Sequence, residues 1–270
     1  MIDPVVGLDF VRAHPERVVL ADVRYYLDGR SGRAAYEGGH LPGAIFVDVD
    51  TDLAAHAGPA EGRHPLPTPE AFAERMAALG LSDDTIVIAY DDAGGVMAAR
   101  LVWMLRATGR DAALLDGGLD AYAEKLETTT PRRAPGNFEA RPWPSERLAD
   151  IEDATSPEFV VLDARQGERF RGETEPIDPR AGHIPGARSL PTRENVDAAG
   201  RFRSPAELRE RFVSVGVTDG ATVVSYCGSG VTACHNLLAL ERAGFAPGRL
   251  YPGSWSQYSA TDRAAATGDA

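Results

Sequence analysis

The chain has 270 residues, of which 43% are hydrophobic and 25% are charged, as is typical of one large or two medium-sized globular domains. The formal net charge of −12 argues against nucleic acid or an anionic membrane surface as the main partner. No apolar run approaches the roughly 20 residues of a membrane span, and the N-terminus lacks the pattern of a signal peptide, so we expect a cytoplasmic protein. Because this charge would repel an anionic substrate, any anion site must be built locally from arginines, backbone N–H groups and a helix end.

Short apolar strands alternate with helices along the first half of the chain. The predicted strands are rich in Val, Ile and Leu, and they cover Val18–Val23, Ile45–Val47, Ile86–Tyr90 and Ala113–Leu115. Between them, Pro69–Leu79 is predicted to be a helix, with Thr68 as its N-cap and proline in its first turn. This alternation is typical of a mainly parallel sheet that helices cover on both faces.

The second half repeats the motifs of the first half in the same order. The helix Pro69–Leu79 has its counterpart in Pro205–Val215, which follows Ser204 as the N-cap. The other repeats are Gly39–Ala44 with Gly182–Ala187, Ala21–Arg24 with Leu162–Arg165, and Gly117–Tyr122 with Gly253–Tyr258. We therefore predict an N-terminal α/β domain over residues 1–126 and a C-terminal α/β domain over residues 147–270, joined by a polar, Pro-rich linker over residues 127–146.

A short loop that begins at Cys227 is the most informative segment of the chain. It follows the strand-like run Thr222–Ser225 and precedes a predicted helix that begins at Ala233 and ends near Ala243. The backbone N–H groups of such a loop and the positive end of the helix dipole favour a thiolate over a thiol. Cys227 is therefore predicted to be an exposed nucleophile, supported by the loop residues Gly228, Ser229, Gly230, Val231 and Thr232.

Other uses of a cysteine loop are disfavoured by the residues around it. The spacing of Cys227, Cys234 and His235 lacks the paired ligands of a zinc site, and Cys234 is predicted to be buried on the helix. A phosphatase would need an arginine at the position of Ala233 to grip the phosphate. In the first half, Asp91 takes the place of the cysteine, so this half is predicted to be catalytically silent. We expect neither a metal nor a cofactor.

Together these features resemble the two-domain rhodanese-like sulfurtransferases. The resemblance covers nearly the whole chain, and it rests on the paired Gly-His-hydrophobic-Pro-Gly-Ala motifs, the strand–Cys–loop–helix unit and Gly253-Ser254-Trp255. It implies two tandem α/β domains, each a mainly parallel sheet flanked by helices, of which the first is inactive. It also implies that the second domain transfers a sulfane sulfur through a persulfide on Cys227.

Within this family, the loop resembles the version that takes sulfur from 3-mercaptopyruvate rather than from thiosulfate. Thiosulfate is a compact dianion that would benefit from a cation within the loop, and Gly228 and Ser229 offer none. Mercaptopyruvate instead needs a bidentate arginine clamp for its carboxylate, set back from the thiolate. The resemblance implies that Arg169 and Arg180 form this clamp, although the segment between them is longer than in the family pattern.

The resemblance further implies a proton relay for the departing pyruvate, formed by Ser229 and by His40 of the first Gly-His motif. The sulfur acceptor is predicted to be a thiol or cyanide, with a thioredoxin-like protein among the candidates. Two alternatives stay open, a thiosulfate:cyanide sulfurtransferase and a persulfide carrier that serves a protein partner. A non-catalytic binding module is disfavoured, because the second half keeps its cysteine and its open Gly/Ser loop.

Overall fold

The computed structural model describes residues 1–56, 58 and 60–269, which form two compact units. Unit 1 comprises Met1–Ala55, Pro67–Trp143 and Asp197–Phe202, whereas unit 2 comprises His56–Leu66, Pro144–Val196 and Arg203–Ala270. The boundaries of these units differ from those of the predicted domains. The predicted linker is divided between the units, with residues 127–143 in unit 1 and 144–146 in unit 2. Residues 56–66 of the predicted N-terminal domain belong to unit 2, and residues 197–202 of the predicted C-terminal domain belong to unit 1.

Unit 1 contains a sheet of five parallel strands. The strands are β1 (Val5–Val6), β2 (Val18–Asp22), β3 (Ile45–Phe46), β4 (Ile86–Tyr90) and β5 (Ala112–Leu115), in the order β1-β5-β4-β2-β3. The helices are α1 (Leu8–Ala13), α2 (Gly32–Gly38), α3 (Pro69–Ala78) and α4 (Ala99–Ala107). Every residue of β4 is buried, as expected for a continuous apolar strand that is covered on both faces.

Unit 2 contains a sheet of four parallel strands. The strands are β6 (Val160–Asp163), β7 (Arg188–Ser189), β8 (Val223–Tyr226) and β9 (Arg249–Leu250), in the order β7-β6-β8-β9. The helices are α5 (Gly167–Phe170), α6 (Pro205–Ser214), α7 (Ala233–Arg242) and α8 (Ser254–Tyr258). The predicted fold of tandem α/β domains with parallel sheets is confirmed. In the described ranges, no helix is long and apolar enough to cross a bilayer.

The predicted helix caps are present in both units. The hydroxyl of Thr68 accepts a hydrogen bond from the N–H of Ala71 at 3.2 Å, which begins α3. Ser204 begins α6 with a full capping box, in which the Glu207 side chain accepts from the Ser204 N–H in return. Both helices carry proline in the first turn, where the missing N–H costs no intrahelical hydrogen bond.

An ion pair at the end of a central strand is repeated in the two units. Arg24 binds the carboxylate of Asp22 at the end of β2, and Arg165 binds Asp163 at the end of β6. In each unit the same guanidinium donates at 2.7 Å to the carbonyl of the glycine that opens the Gly-His motif. The repeated sequence therefore produces a repeated buried contact, which fixes the loop beside the sheet.

Candidate active site

Cys227 lies directly after β8, at the carboxyl edge of the sheet of unit 2, and is 2% exposed. The backbone N–H of Gly230 donates to its Sγ at 3.1 Å. Trp255 and Ser256 donate their N–H groups to the carbonyls of Cys227 and Gly228 at 3.0 and 2.9 Å, so the start of α8 lies against the loop. The prediction of an exposed cysteine is therefore wrong, because α8 encloses the loop. The sulfur is held away from water and beside a backbone donor.

The remaining loop residues are set by a close approach to the chain that precedes α8. Gly230 has φ +76°, and a Cβ there would lie 2.5 Å from the carbonyl oxygen of Pro252, so glycine is required. Val231 is buried and its carbonyl accepts from the N–H of Cys234, whereas Thr232 immediately precedes α7. The predicted loop residues thus form one continuous turn between β8 and α7.

Ser254 holds the backbone of Cys227 in place through a hydrogen bond, a role that the sequence did not reveal. Its hydroxyl accepts from the N–H of Cys227 at 3.1 Å and donates to the carbonyl of Tyr251 at 2.9 Å. Ser254 has φ +51° and is the single non-glycine residue of the described chain in the left-handed region. Such strain is uncommon outside functional sites. The repeat offers a signal that could have found it, since Gly118 occupies the matching position with φ +56°.

Ser229 is hydrogen-bonded to a histidine that the sequence analysis missed. The Nδ1 atom of His64 lies 2.7 Å from the Oγ atom of Ser229, and both residues are buried. His64 lies in the segment 56–66, which belongs to unit 2 although it precedes α3 in the chain. A Ser–His pair next to a cysteine can move a proton to or from a group bound at the sulfur.

The structure does not support His40 as the partner of Ser229. The Nδ1 atom of His40 lies 2.7 Å from the carbonyl oxygen of Tyr36, and its ring stacks on the Tyr36 ring at 3.9 Å. His183 makes the same pair of contacts with Phe170, at 2.8 Å and 3.7 Å. The Gly-His motif has the same geometry in unit 1, where Asp91 takes the place of the cysteine, and in unit 2, which contains Cys227. We therefore assign its histidine to holding the loop in place rather than to proton transfer.

Arg169, which the resemblance implied as one member of the carboxylate clamp, lies near the nucleophile loop, since a Cβ on Gly228 would lie 3.6 Å from its Nη1 atom. Its side chain is 14% exposed, and its Nη2 atom lies 2.6 Å from Glu175 and 3.3 Å from Asp178. Glu175 also pairs with Arg165 at 3.2 Å. Burial alone would raise the pKa of Glu175, but hydrogen bonds from Arg169 and from backbone N–H groups outweigh it and hold that pKa below its ordinary value.

Arg180, the second predicted arginine of the clamp, has a different role. Its three guanidinium nitrogens donate to the backbone carbonyls of Ser259, Arg263 and Tyr258 at 2.8–3.1 Å. These carbonyls lie at and beyond the C-terminal end of α8, where a cation is favourable. The prediction that Arg180 binds substrate is corrected on this ground, because three of its five N–H groups hold these carbonyls and the atoms nearest a Cβ on Gly228 belong to Arg63 and Arg169 instead.

A second cation beside the loop comes instead from Arg63. A Cβ on Gly228 would lie 3.0 Å from Nη2 of Arg63 and 3.6 Å from Nη1 of Arg169. Arg63 also pairs with Asp178, whose side chain is 2% exposed. The loop itself carries no cation, as the sequence indicated, but two other segments bring guanidinium groups to its first glycine. Among the described residues, no cluster of three His, Cys, Asp or Glu side chains is arranged to hold a metal.

The matching loop of unit 1 is filled by its own carboxylate. Asp91 follows β4 and is fully buried, and its oxygens accept from four backbone N–H groups at 2.7–3.0 Å, those of Ala93, Gly95, Met97 and Ala98. The carboxylate of Asp91 occupies the place that an anion would take, because it lies where the loop donors converge.

Comparisons with known proteins find the same kind of domain in both halves of the chain. The family model for the rhodanese-like domain matches twice, at residues 11–125 and 146–261. The chain is 45% identical to a Pseudomonas aeruginosa protein named "Probable 3-mercaptopyruvate sulfurtransferase", with 95% of this chain and 94% of the relative covered. It is 38% identical to a Mycobacterium tuberculosis protein, SseB, that is named a thiosulfate sulfurtransferase, with 90% and 88% covered.

Solved structures show the same likeness. The crystal structure of SseA from Escherichia coli, described as a 3-mercaptopyruvate sulfotransferase of rhodanese fold, superposes with a TM-score of 0.83 at 33% identity. The match covers 94% of this chain and 99% of that one. The prediction of a sulfurtransferase agrees with the names of these relatives. Both halves of the chain carry the domain, and the chain therefore belongs to the rhodanese-like family as a tandem, two-domain member.

Proposed function

We propose that this protein transfers a sulfane sulfur from 3-mercaptopyruvate to a thiol or cyanide acceptor through a persulfide on Cys227. The observation that carries this proposal is the buried Sγ of Cys227 with the Gly230 N–H at 3.1 Å and the Ser229–His64 pair beside it. The names of the relatives support the same donor. The backbone N–H of Gly230 beside the sulfur can stabilise negative charge there, in the thiolate and in the persulfide anion.

In the first half-reaction, the Cys227 thiolate attacks the sulfur of the donor. A sulfur–sulfur bond forms and the carbon–sulfur bond of the donor breaks, so that its electron pair passes to the pyruvate enolate. The enolate takes up the proton that the donor thiol gives up, and the products are pyruvate and the persulfide anion of Cys227. The backbone N–H of Gly230 stabilises the negative charge on the sulfur throughout.

The Ser229–His64 pair is suited to move this proton. The Ser229 hydroxyl belongs to the loop itself, two residues after the nucleophile, and the His64 ring can take a proton from it or return one to it over 2.7 Å. Both groups are buried, so the proton is exchanged within the site rather than with bulk water. Ser229 therefore keeps its predicted role with a different histidine.

In the second half-reaction, the acceptor attacks the outer sulfur of the persulfide and restores the Cys227 thiolate. Cyanide leaves as thiocyanate and a thiol leaves as its persulfide, so ping-pong kinetics are expected. A thioredoxin-like protein is a fitting thiol acceptor. We also propose a cytoplasmic location, because both cysteines are free thiols and a persulfide cycle requires a reducing compartment.

A thiosulfate donor is the second candidate, favoured by one specific observation. The guanidinium groups of Arg63 and Arg169 lie next to Gly228, so the lack of a cation in the loop sequence does not by itself exclude thiosulfate. The M. tuberculosis relative is named for thiosulfate. A steady-state comparison of kcat/KM for the two donors distinguishes the candidates.

The deciding experiment measures the sulfur on the protein itself. After treatment with mercaptopyruvate and removal of excess donor, intact-mass and peptide analysis is expected to find one added sulfur atom on Cys227, and cyanide is expected to remove it. Cys227→Ser is expected to lose the adduct and at least about a thousandfold of the transfer rate, whereas Cys234→Ser is expected to keep both. Transfer by the Cys227→Ser protein would sink the proposal.

A further inference from the structure

We propose that Arg63 and Arg169, joined by Asp178, hold the carboxylate of the sulfur donor and set the preference for a carboxylate-bearing donor over thiosulfate. This inference rests on the function proposed above. It replaces Arg180 by an arginine from a distant part of the sequence, in the segment that also supplies His64. It assigns a positioning role to Asp178, which lies in the part of the chain that is longer than the family pattern.

The two guanidinium groups offer converging free edges. Nη2 of Arg63 and Nη1 of Arg169 have no hydrogen-bond partner among the described residues, while the other contacts of both groups point to carboxylates. Both free nitrogens face one point, since a Cβ on Gly228 would lie 3.0 Å from the first and 3.6 Å from the second. Two N–H edges that converge on one space match the two oxygens of a carboxylate.

The absence of a side chain at Gly228 keeps this space open. Gly228 directly follows the nucleophile, so a carboxylate bound there leaves the rest of a small donor within reach of the sulfur of Cys227. Any larger residue would meet the Arg63 guanidinium at 3.0 Å. The sequence of the loop has no cation at Gly228. In the structure the cations beside this glycine are Arg63 and Arg169, which come from other segments of the chain.

Asp178 holds the two arginines together. Its Oδ1 atom pairs with Nη1 of Arg63, and its Oδ2 atom lies 3.3 Å from Nη2 of Arg169. With a side chain that is 2% exposed, it is a fixed, buried bridge. Asp178 and Glu175 together balance the charge of the two guanidinium groups. Recognition beside Gly228 therefore depends on the directed N–H edges, which suit one carboxylate better than a compact dianion that needs an excess of positive charge.

A series of alternating ion pairs ties this clamp to the sheet. It begins at the strand-end pair of β6 and ends beside the loop, in the order Asp163, Arg165, Glu175, Arg169, Asp178 and Arg63. Each internal member has an opposite charge on both sides, which limits the rotamers of the long side chains. In unit 1 the corresponding strand-end pair is that of Asp22 and Arg24, beside a loop that Asp91 fills.

The test compares Arg63→Gln with Arg171→Gln as the matched control, since Arg171 pairs with Glu173 at the surface. The clamp predicts that Arg63→Gln raises KM for mercaptopyruvate about 10- to 100-fold with kcat within about threefold, and that Arg171→Gln changes neither. Arg63→Lys, which keeps the charge, is expected to lie between Arg63→Gln and the wild type and serves if Arg63→Gln does not fold. An unchanged KM in Arg63→Gln, or a loss confined to kcat, overturns the clamp.

Pyruvate binding separates the failure of the clamp from the failure of the proposed reaction. Pyruvate carries the same carboxylate and ketone without the sulfur, and its affinity for the wild type and the two variants is measured by calorimetry. The clamp predicts about tenfold or weaker binding in Arg63→Gln only. If the wild type takes up no sulfur on Cys227, the proposed function fails, and the pyruvate affinities still decide the clamp.

The positioning role of Asp178 has its own signature. Asp178→Asn is expected to raise KM for mercaptopyruvate several-fold and to lower KM for thiosulfate, because the uncompensated guanidinium groups attract a dianion. Asp178→Glu, which keeps the charge, is expected to recover part of the preference for mercaptopyruvate. A parallel rise of both KM values in Asp178→Asn would indicate a merely structural role and would contradict the assignment.

Discussion

The two units use the same strand–loop–helix turn for opposite purposes. In unit 1 the converging N–H groups are consumed by the Asp91 carboxylate, which makes the loop a closed structural element. In unit 2 the smaller Cys227 leaves the loop able to hold a charged sulfur, with the Gly230 N–H as its donor. The comparison teaches that the same anion-binding turn can serve either a structural or a catalytic role. The residue at its first position, Asp91 or Cys227, determines which role it has.

The second difference is what each unit builds beside its loop. Unit 2 extends the strand-end ion pair into a series that reaches Arg63, and it adds His64 next to Ser229. Unit 1 keeps the pair of Asp22 and Arg24. A catalytic loop therefore needs more than its cysteine, and the duplicated chain shows which additions accompany it.

The largest effect is expected from the histidines, whose roles the comparison separates. His64→Ala should lower kcat about a hundredfold or more, because the hydroxyl of Ser229 loses its proton partner. His40→Ala should leave kcat within about threefold in folded protein and lower the melting temperature instead. Steady-state kinetics beside thermal unfolding measure both. If folded His40→Ala lost as much kcat as His64→Ala, His40 would have to be assigned to the proton relay again.

Removing the resident anion of unit 1 should cost stability rather than activity. Asp91→Ala leaves four buried N–H groups without their acceptor, so the free energy of unfolding is expected to fall by about 2–4 kcal/mol. Asp92→Ala, which removes an exposed carboxylate bound to Tyr26, is the matched control and should cost less. Denaturant unfolding gives both values. A smaller loss in Asp91→Ala than in Asp92→Ala contradicts the role assigned to the filled loop.

Gly118 in unit 1 and Ser254 in unit 2 occupy matching positions of the repeat, and both have left-handed backbone angles. Exchanging their residue types gives a more local test. Gly118→Ser should destabilise unit 1 by about 2 kcal/mol, because a Cβ there would lie 2.4 Å from the carbonyl oxygen of Asp91. Ser254→Gly relieves strain of about 1 kcal/mol but removes the acceptor of the Cys227 N–H, so stability should change little while kcat falls a few-fold. Unfolding and kinetic data on both variants decide. If Ser254→Gly lowered the free energy of unfolding as much as Gly118→Ser does, this argument would be contradicted, because the Ser254 hydroxyl would then stabilise the fold by more than its backbone strain costs.

The smallest effect is a pH dependence that belongs to unit 2. Because the folded pKa of Glu175 lies below its ordinary value, its contribution to stability is present above that ordinary value and is lost as pH falls through the folded pKa. The difference in unfolding free energy between the wild type and Glu175→Gln is therefore expected to be about 1–2 kcal/mol near pH 7 and to shrink on acidification. Glu173→Gln, at the surface, is the control. A difference that grows towards low pH would reverse the sign of this argument.

Local sequence was sufficient for the elements that local chemistry controls. Apolar runs located β2 and β4, and the Ser/Thr–Pro starts located α3 and α6, because burial and capping act within a few residues. The duplication predicted which unit is catalytic, since a motif that is repeated with one altered residue can be compared with itself. Cys227 was found in this way.

The errors have a common physical cause. His40, Arg180 and the exposure of Cys227 were inferred from position in a motif, whereas the outcome in each case depends on residues elsewhere in the chain. The His64 that meets Ser229 in place of His40 lies 165 residues from it, and the carbonyls that bind Arg180 lie some 80 residues from it. Ser254, at the start of the helix α8 that encloses the loop, lies 27 residues after Cys227. No periodicity or motif spacing records such contacts, because they form only when the chain has folded.

The sequence by itself determined the two α/β units and the strand–loop–helix turn, and it predicted the nucleophile of that turn and the catalytic silence of the first half. Hydrophobic pattern and turn chemistry act between neighbouring residues, and an internal repeat can be read by aligning the two halves of the sequence. Only the tertiary structure decided which histidine meets Ser229, that Asp91 fills its own loop, and that Arg63 rather than Arg180 stands at Gly228. Each of these depends on where a long or polar side chain finds an opposite charge or donor in three dimensions, and burial makes that choice obligatory.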